Sequence, residues 1–291
     1  MSLDQVRKLK EALAARPKDV PLEARRDGFE GMMAQVPLAT GISSETVDGP
    51  VSGIWLDPHQ GRTEKVILHV HGGAFVLGSA QSYKPFCSEL AQRSGISVFA
   101  LDYPLAPENP FPAGLNAVAA ALEWMHDVGF TARNLGLSGD SAGGNLALAA
   151  LQANQDTKAG ALYLLSPYLD LTHSGASIKS RGARDPFVVP STMPQTKATY
   201  CGDEDASDAR ISPLFGDMHH IPKTLIQVGS DETLFDDAKR LEAALLDAGK
   251  APIFQEWAGM MHVWPLFAHQ IEEGQWALAQ AASFFAQALA P

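Results

Sequence analysis

From Lys65 onward the chain alternates short apolar runs with longer amphipathic stretches, and this alternation restricts the fold more than any other feature. KVILHV (65–70), ISVFALDY (96–103), NLGLSGD (134–140), AGALYLLSP (159–167), TLIQVGS (224–230) and IFQEW (253–257) have strand length. The segments between them, such as YKPFCSELAQRSG (83–95) and AGLNAVAAALEWMHDVG (113–129), carry apolar residues at helical spacing. Near-continuous apolar runs suit strands buried on both faces, and helical crossovers return each strand in the same direction. Ahead of this series, TVDGPVSGIWLD (46–57) reads as two strands joined at Asp48 and Gly49. The pattern predicts an α/β protein with a mostly parallel central sheet flanked by helices.

Two segments fall outside the series. VRKLKEALAA (6–15) and FEGMMAQV (29–36) predict short helices near the start. From Tyr168 to about Asp217 the chain is rich in Ser, Pro, Gly and Asp. Ordinary βα connections are a few residues long, so this stretch must be an insertion. In an α/β sheet such insertions cover the carboxyl ends of the strands, where ligands bind. Residues 1–45 therefore read as cap helices, and residues 46–291 as the main domain with a cap insertion at about 168–217.

The charge balance is 22 basic against 33 acidic residues, a net −11. That excess disfavours nucleic acid and anionic membranes as partners. No run reaches the ~18 apolar residues of a membrane span. The charged start lacks the apolar core of a signal peptide, which points to the cytoplasm. Cys87 and Cys201 stand alone, so reduced structural thiols and no metal are expected. His219 and His220 read as a surface turn, not as a metal pair.

The chemistry concentrates in two motifs. Gly139-Asp140-Ser141-Ala142-Gly143-Gly144 lies between a predicted strand and a predicted helix, the context of a nucleophile elbow. There the hydroxyl of Ser141 stands exposed on a strained turn, above a helix N-terminus that favours developing negative charge. His71-Gly72-Gly73-Ala74-Phe75 follows the strand KVILHV. Small residues let backbone amides approach an oxyanion. Gly72, Gly73 and Ala74, with Ala142 after the nucleophile, are the candidate oxyanion donors. His71 reads as a scaffold of that loop.

HGGAF, YPLAPENPFPA (103–113), GDSAGGNL, SPYLDLT (166–172), ISPLFGD (211–217) and GMMHVW (259–264) occur in the order seen in the hormone-sensitive-lipase-like esterases, bacterial lipase family IV. The chain resembles that family from about Val47 to its end, and its N-terminal helices look like the family's cap. Two departures are visible. Ala74 replaces the third glycine of the usual HGGG, and Pro104 replaces an arginine after Tyr103.

The resemblance implies an α/β-hydrolase fold and a serine carboxylesterase acting on small-molecule esters through an acyl-enzyme, with no cofactor. Such enzymes order the triad Ser, acid, His along the chain. His262 and His269 both lie late enough, and His262 follows IFQEW in a loop at the carboxyl edge of the sheet. Helix-like sequence surrounds His269, so His262 is the expected base. Asp231 and Glu232 are the candidate acids. The family usually carries Asp-Pro-Leu-x-Asp-Glu here, its aspartate thirty residues before the histidine, and that register selects Glu232 over Asp231. Asp236 and Asp237 open the next helix and are expected to cap it.

Phe187, Met193, Tyr200 and Phe215 are available to line a closed pocket, which predicts acyl groups of about C2–C6. IFQEW is the last strand in sequence, and its free edge predicts a homodimer formed along Ile253–Trp257. Two rival readings share the scaffold. An amidase or peptidase would use the same triad, because esters and amides share a tetrahedral intermediate. A non-catalytic ligand receptor, as in the plant gibberellin receptors, would have lost the histidine that this chain keeps.

Overall fold

In the computed structural model, residues 3–17, 20–58, 61–153 and 159–289 are described. Each of the eight expected runs contains a strand, but the first begins at Ile42, four residues inside the range expected to be cap helices: β1 (Ile42–Val47), β2 (Ser52–Pro58), β3 (Val66–Val70), β4 (Ser97–Asp102), β5 (Leu135–Asp140), β6 (Ala161–Leu165), β7 (Lys223–Gly229) and β8 (Ile253–Trp257). They form one sheet in the order β1-β2-β4-β3-β5-β6-β7-β8. β2 runs antiparallel to both neighbours, and every pairing from β4 to β8 is parallel. β3, β5 and β6 are buried at every position, which explains their lack of polar alternation.

Side chains alternate across the sheet and feed two cores. Val66, Leu68 and Val70 point to one face, where α4 (Ala113–Asp127), α5 (Ser141–Ala153) and α8 (Phe235–Asp247) pack. Ile67 points to the other, beneath α3 (Ala80–Ser94) and α9 (Glu272–Ala288). The ends of α3 show why it starts and stops where it does. Ser79 and Ser82 form a reciprocal capping box, and Gly95 closes the helix in the left-handed conformation at φ 66°.

The N-terminal helices, α1 (Leu3–Ala14) and α2 (Leu22–Met33), lie against loops that leave the carboxyl ends of the strands. Lys10 pairs with Asp231 after β7 at 2.6 Å. Arg26 donates to the Val76 carbonyl at 2.8 Å, to the Ala106 carbonyl at 3.0 Å and to both oxygens of Glu108. Between β6 and β7 the chain builds α6 (Ser177–Arg181), α7 (Met193–Cys201) and short 3-10 turns at Pro190–Thr192 and Pro213–Phe215.

Buried carboxylates hold this insertion down. Asp237 Oδ2 accepts the amides of Leu169 and Asp170 at 2.7 and 3.0 Å, and Asp236 accepts the amide of Ser177 at 2.9 Å. Asp185, within the insertion, accepts the amides of Phe187 and Thr233. The expectation that Asp236 and Asp237 cap their own helix is therefore corrected. α8 begins without a side-chain cap, and its first-turn acids face the insertion. Cys87 and Cys201 are buried free thiols, and His219 sits on the surface paired with Asp217. Among the described residues there is no group of three metal-binding side chains, and no helix is long and apolar enough to cross a membrane.

Burial pushes the Asp237 carboxyl up from 3.8 to about 7, against the two amides that favour its charged form. The folded state thus holds this proton over a range where the unfolded chain releases it. Stability is lost as pH rises through that window. Asp237→Asn keeps an acceptor for both amides and removes this slope, so its melting temperature should gain on the parent's between about pH 5 and about pH 8. Asp237→Ala orphans both amides and should cost roughly 2–4 kcal/mol in denaturant unfolding.

Candidate active site

β5 ends at Asp140 and α5 begins at Ser141 with no loop between them. The reversal forces Ser141 into the left-handed region at φ 50°. Two glycines make this turn sterically feasible. A Cβ at Gly143 would stand 2.0 Å from the Val70 carbonyl oxygen and 2.4 Å from that of His71, and one at Gly139 would lie 2.5 Å from the Gly143 carbonyl. The first turn of α5 therefore presses directly on the end of β3.

Ser141 Oγ stands 2.9 Å from His262 Nε2, and His262 Nδ1 stands 3.1 Å from Glu232 Oε2. The three side chains come from the β5–α5 turn, the loop after β8 and the loop after β7. Burial alone would push the His262 imidazole down. The hydrogen bond and the charge of Glu232 outweigh that, with Asp185 and Asp140 adding to them, and raise it above the ordinary 6.5. Asp231 faces the other way, paired with Lys10 at 2.6 Å and with Arg184 at 3.3 Å. His269 is exposed in a turn, not a helix, and hydrogen-bonds Gln270.

The loop after β3 holds Gly73 at φ 115°, Ala74 at 55° and Phe75 at 64°, three successive positive values, and Gly73 and Ala74 line the same cavity as Ser141. The Gly73 and Ala74 amides have no acceptor among the described residues. Ala142, in the first turn of α5, carries an amide that the helix leaves free. Gly72 is a correction: its amide donates to Asp140 Oδ1 at 2.9 Å and is committed there. Asp140 Oδ2 accepts the hydroxyl of Tyr83 at 2.7 Å, so the residue before Ser141 fixes the loop opposite. His71 donates from Nδ1 to the Gly72 carbonyl at 2.7 Å and stacks on Tyr103. Burial holds its pKa down to about 4, so it stays neutral as a scaffold.

A cavity of about 130 Å³ opens beside Ser141, with Phe187 and Met193 in its wall. Tyr200 and Phe215 were expected there and lie elsewhere. Tyr200 is stacked 3.7 Å from Phe75, underneath the loop, and Phe215 is 45% exposed at the surface.

A family model described as alpha/beta hydrolase fold matches residues 67–266. The chain belongs to that family. An acetyl-hydrolase of Streptomyces hygroscopicus is 38% identical over 241 residues, spanning 81% of this chain and 80% of the relative. An esterase of Acinetobacter venetianus is 35% identical over 229 residues, spanning 77% and 76%. A crystal structure of an esterase from the bacterial hormone-sensitive lipase family superposes with a TM-score of 0.94 at 34% identity, covering 99% of this chain and 98% of that one. This α/β-hydrolase thus groups with the hormone-sensitive-lipase-like esterases and is a carboxylic ester hydrolase.

One residue beside the hydrogen-bonded chain was given no role from sequence. Ser166 opens the SPYLDLT motif, sits at φ 49°, donates to Glu232 Oε1 at 2.7 Å and accepts the Val263 amide at 3.1 Å. It thereby links the carboxylate to the residue after His262, which is itself held at φ 48°. The signal was its place in a motif at a strand end, but the motif alone names no partner. Ser166→Ala should leave a folded protein, weakened by about 1–3 kcal/mol, with kcat for a neutral ester reduced about tenfold. Steady-state kinetics with circular dichroism check this.

Proposed function

We propose that this hydrolase cleaves short-chain acyl esters through a Ser141–His262–Glu232 triad and an acyl-enzyme. Ser141 Oγ attacks the ester carbonyl carbon while its proton passes to His262 Nε2. The amides of Gly73, Ala74 and Ala142 hold the oxyanion. The tetrahedral intermediate collapses, the C–O bond to the alcohol breaks, and His262 hands its proton to the leaving alkoxide. Water, deprotonated by His262, then attacks the acyl-Ser141 carbonyl, releasing the carboxylic acid and restoring the serine. Glu232 orients the imidazole and stabilises its cationic form. The observation that carries this reading is the unbroken hydrogen-bond chain from Ser141 Oγ to the Glu232 carboxylate. A cavity of about 130 Å³ suits a small acyl group, and the Streptomyces relative's name, acetyl-hydrolase, agrees with this.

The test is an ester series from acetyl to dodecanoyl. Turnover should peak at short chains and fall steeply by the longer ones, and Ser141→Ala should lower kcat by at least about 10⁴-fold. The acid limb of the kcat/KM profile should lie above the ordinary imidazole value, because protonated His262 cannot accept a proton. Glu232→Gln should move that limb to lower pH and cut kcat by about 10⁴, whereas Asp231→Asn should do neither. A crippled Asp231→Asn beside a near-normal Glu232→Gln would overturn the assignment of the acid.

The free edge of β8 supports a homodimer as a second part of the proposal. Among the described residues β8 pairs with β7 alone, and Ile253 stands half exposed on it. Light scattering should return twice the chain mass of 31.1 kDa.

A further inference from the structure

The small cavity beside Ser141 adjoins a wider outer chamber of about 460 Å³. Arg25, Phe29, Leu77, Phe187 and Thr192 belong to the walls of both, so they frame the passage between them. Of these five only Arg25 is charged. Its neighbour Arg26 is fully engaged with Glu108 and two carbonyls, and Arg16, also in the outer wall, donates to the Gly28 carbonyl. The Arg25 guanidinium donates to no acceptor among the described residues, although the side chain is half buried. Burial lowers its pKa, and no carboxylate acts to restore it.

No acidic residue lines the outer chamber among the described residues. The inner cavity has one, Asp140, and both its oxygens are occupied by Gly72 and Tyr83. A cationic passage in a chain of net charge −11 is a local feature and not an overall bias. A half-buried guanidinium without a counter-ion keeps its desolvation cost until an anion arrives. Low-dielectric walls also focus its field on the opening.

We propose that Arg25 selects esters whose alcohol portion carries a carboxylate. This rests on the ester-hydrolysing reading above. The inner cavity accepts the small acyl half, so the longer half of the ester runs out past Arg25, whose planar fork matches a carboxylate.

The experiment uses acetate esters of ω-hydroxy carboxylic acids, graded in chain length, each compared with its own primary amide. Wild-type enzyme should favour the carboxylate by about tenfold in kcat/KM at the best length, mainly through KM. Added salt should erode that preference. Arg25→Met should bring the carboxylate-to-amide ratio close to one, and Arg25→Lys should retain part of it. The ratio cancels any loss common to both substrates. If Arg25→Met fails to fold, Arg25→Lys and the salt dependence of the wild type carry the test. A wild type without preference, or a ratio unchanged in Arg25→Met, overturns the role of Arg25 while ester hydrolysis stands. A wild type that cleaves neither ester nor amide-bearing ester refutes the underlying reading instead.

Discussion

The contact between the first turn of α5 and the end of β3 is the constraint on which the site depends. Gly143 meets the carbonyls of Val70 and His71 at distances no β-carbon could tolerate. That approach keeps Ser141 on its left-handed turn with the hydroxyl raised toward His262. It also brings Asp140 beneath the loop after β3, where its carboxylate takes the Gly72 amide and the Tyr83 hydroxyl. Ser141 and the loop after β3 are thus set by one packing event. The strain of Ser141, Ala74 and Phe75 at positive φ, about 1–2 kcal/mol for each such residue, is offset by burial of the strands on either side.

The other half of the site is held by carboxylates that work in pairs across the loops. Glu232 faces inward and receives the Gly229 amide at 2.6 Å and the Ser166 hydroxyl at 2.7 Å, in addition to His262. Asp231 faces outward and receives Lys10 from α1. The same short turn therefore fastens α1 on one side and the imidazole on the other. Asp185 and Asp237 repeat the device at the insertion, each accepting backbone amides from across the loop boundary. Buried amides left without acceptors are costly, so these contacts define where the insertion sits as firmly as apolar packing does.

Electrostatics separate the histidines by role. His262 has a carboxylate at Nδ1, and Glu232 overcomes the burial that would otherwise favour the neutral ring. His71 has a carbonyl there instead, and burial holds it neutral. Arg25 shows the complementary case of a charge placed at a cavity wall without a partner among the described residues. Arg25 and Arg26, neighbours in sequence, thereby differ: Arg26 joins α2 to the domain, and Arg25 stands in the wall shared by the two cavities.

The strands, the main crossover helices, the hairpin and the Ser141 turn were legible in the sequence, because period, turn chemistry and glycine placement are properties of neighbouring residues. The HGGAF loop was legible for the same reason, down to its run of small residues. Other features depend on partners far away in the chain and came only with tertiary structure. The family register selects Glu232 over Asp231 in sequence, but what draws these adjacent side chains to opposite sides is Lys10, 221 positions from Asp231, and Ser166, 66 positions from Glu232. Gly72 could be seen as a donor from its motif, but only folding aims Asp140 at its amide. Asp236 and Asp237 carry the local signature of helix caps, and Tyr200 and Phe215 the bulk of pocket walls. Their actual neighbours are set by how the insertion lies on the sheet, which no local pattern encodes.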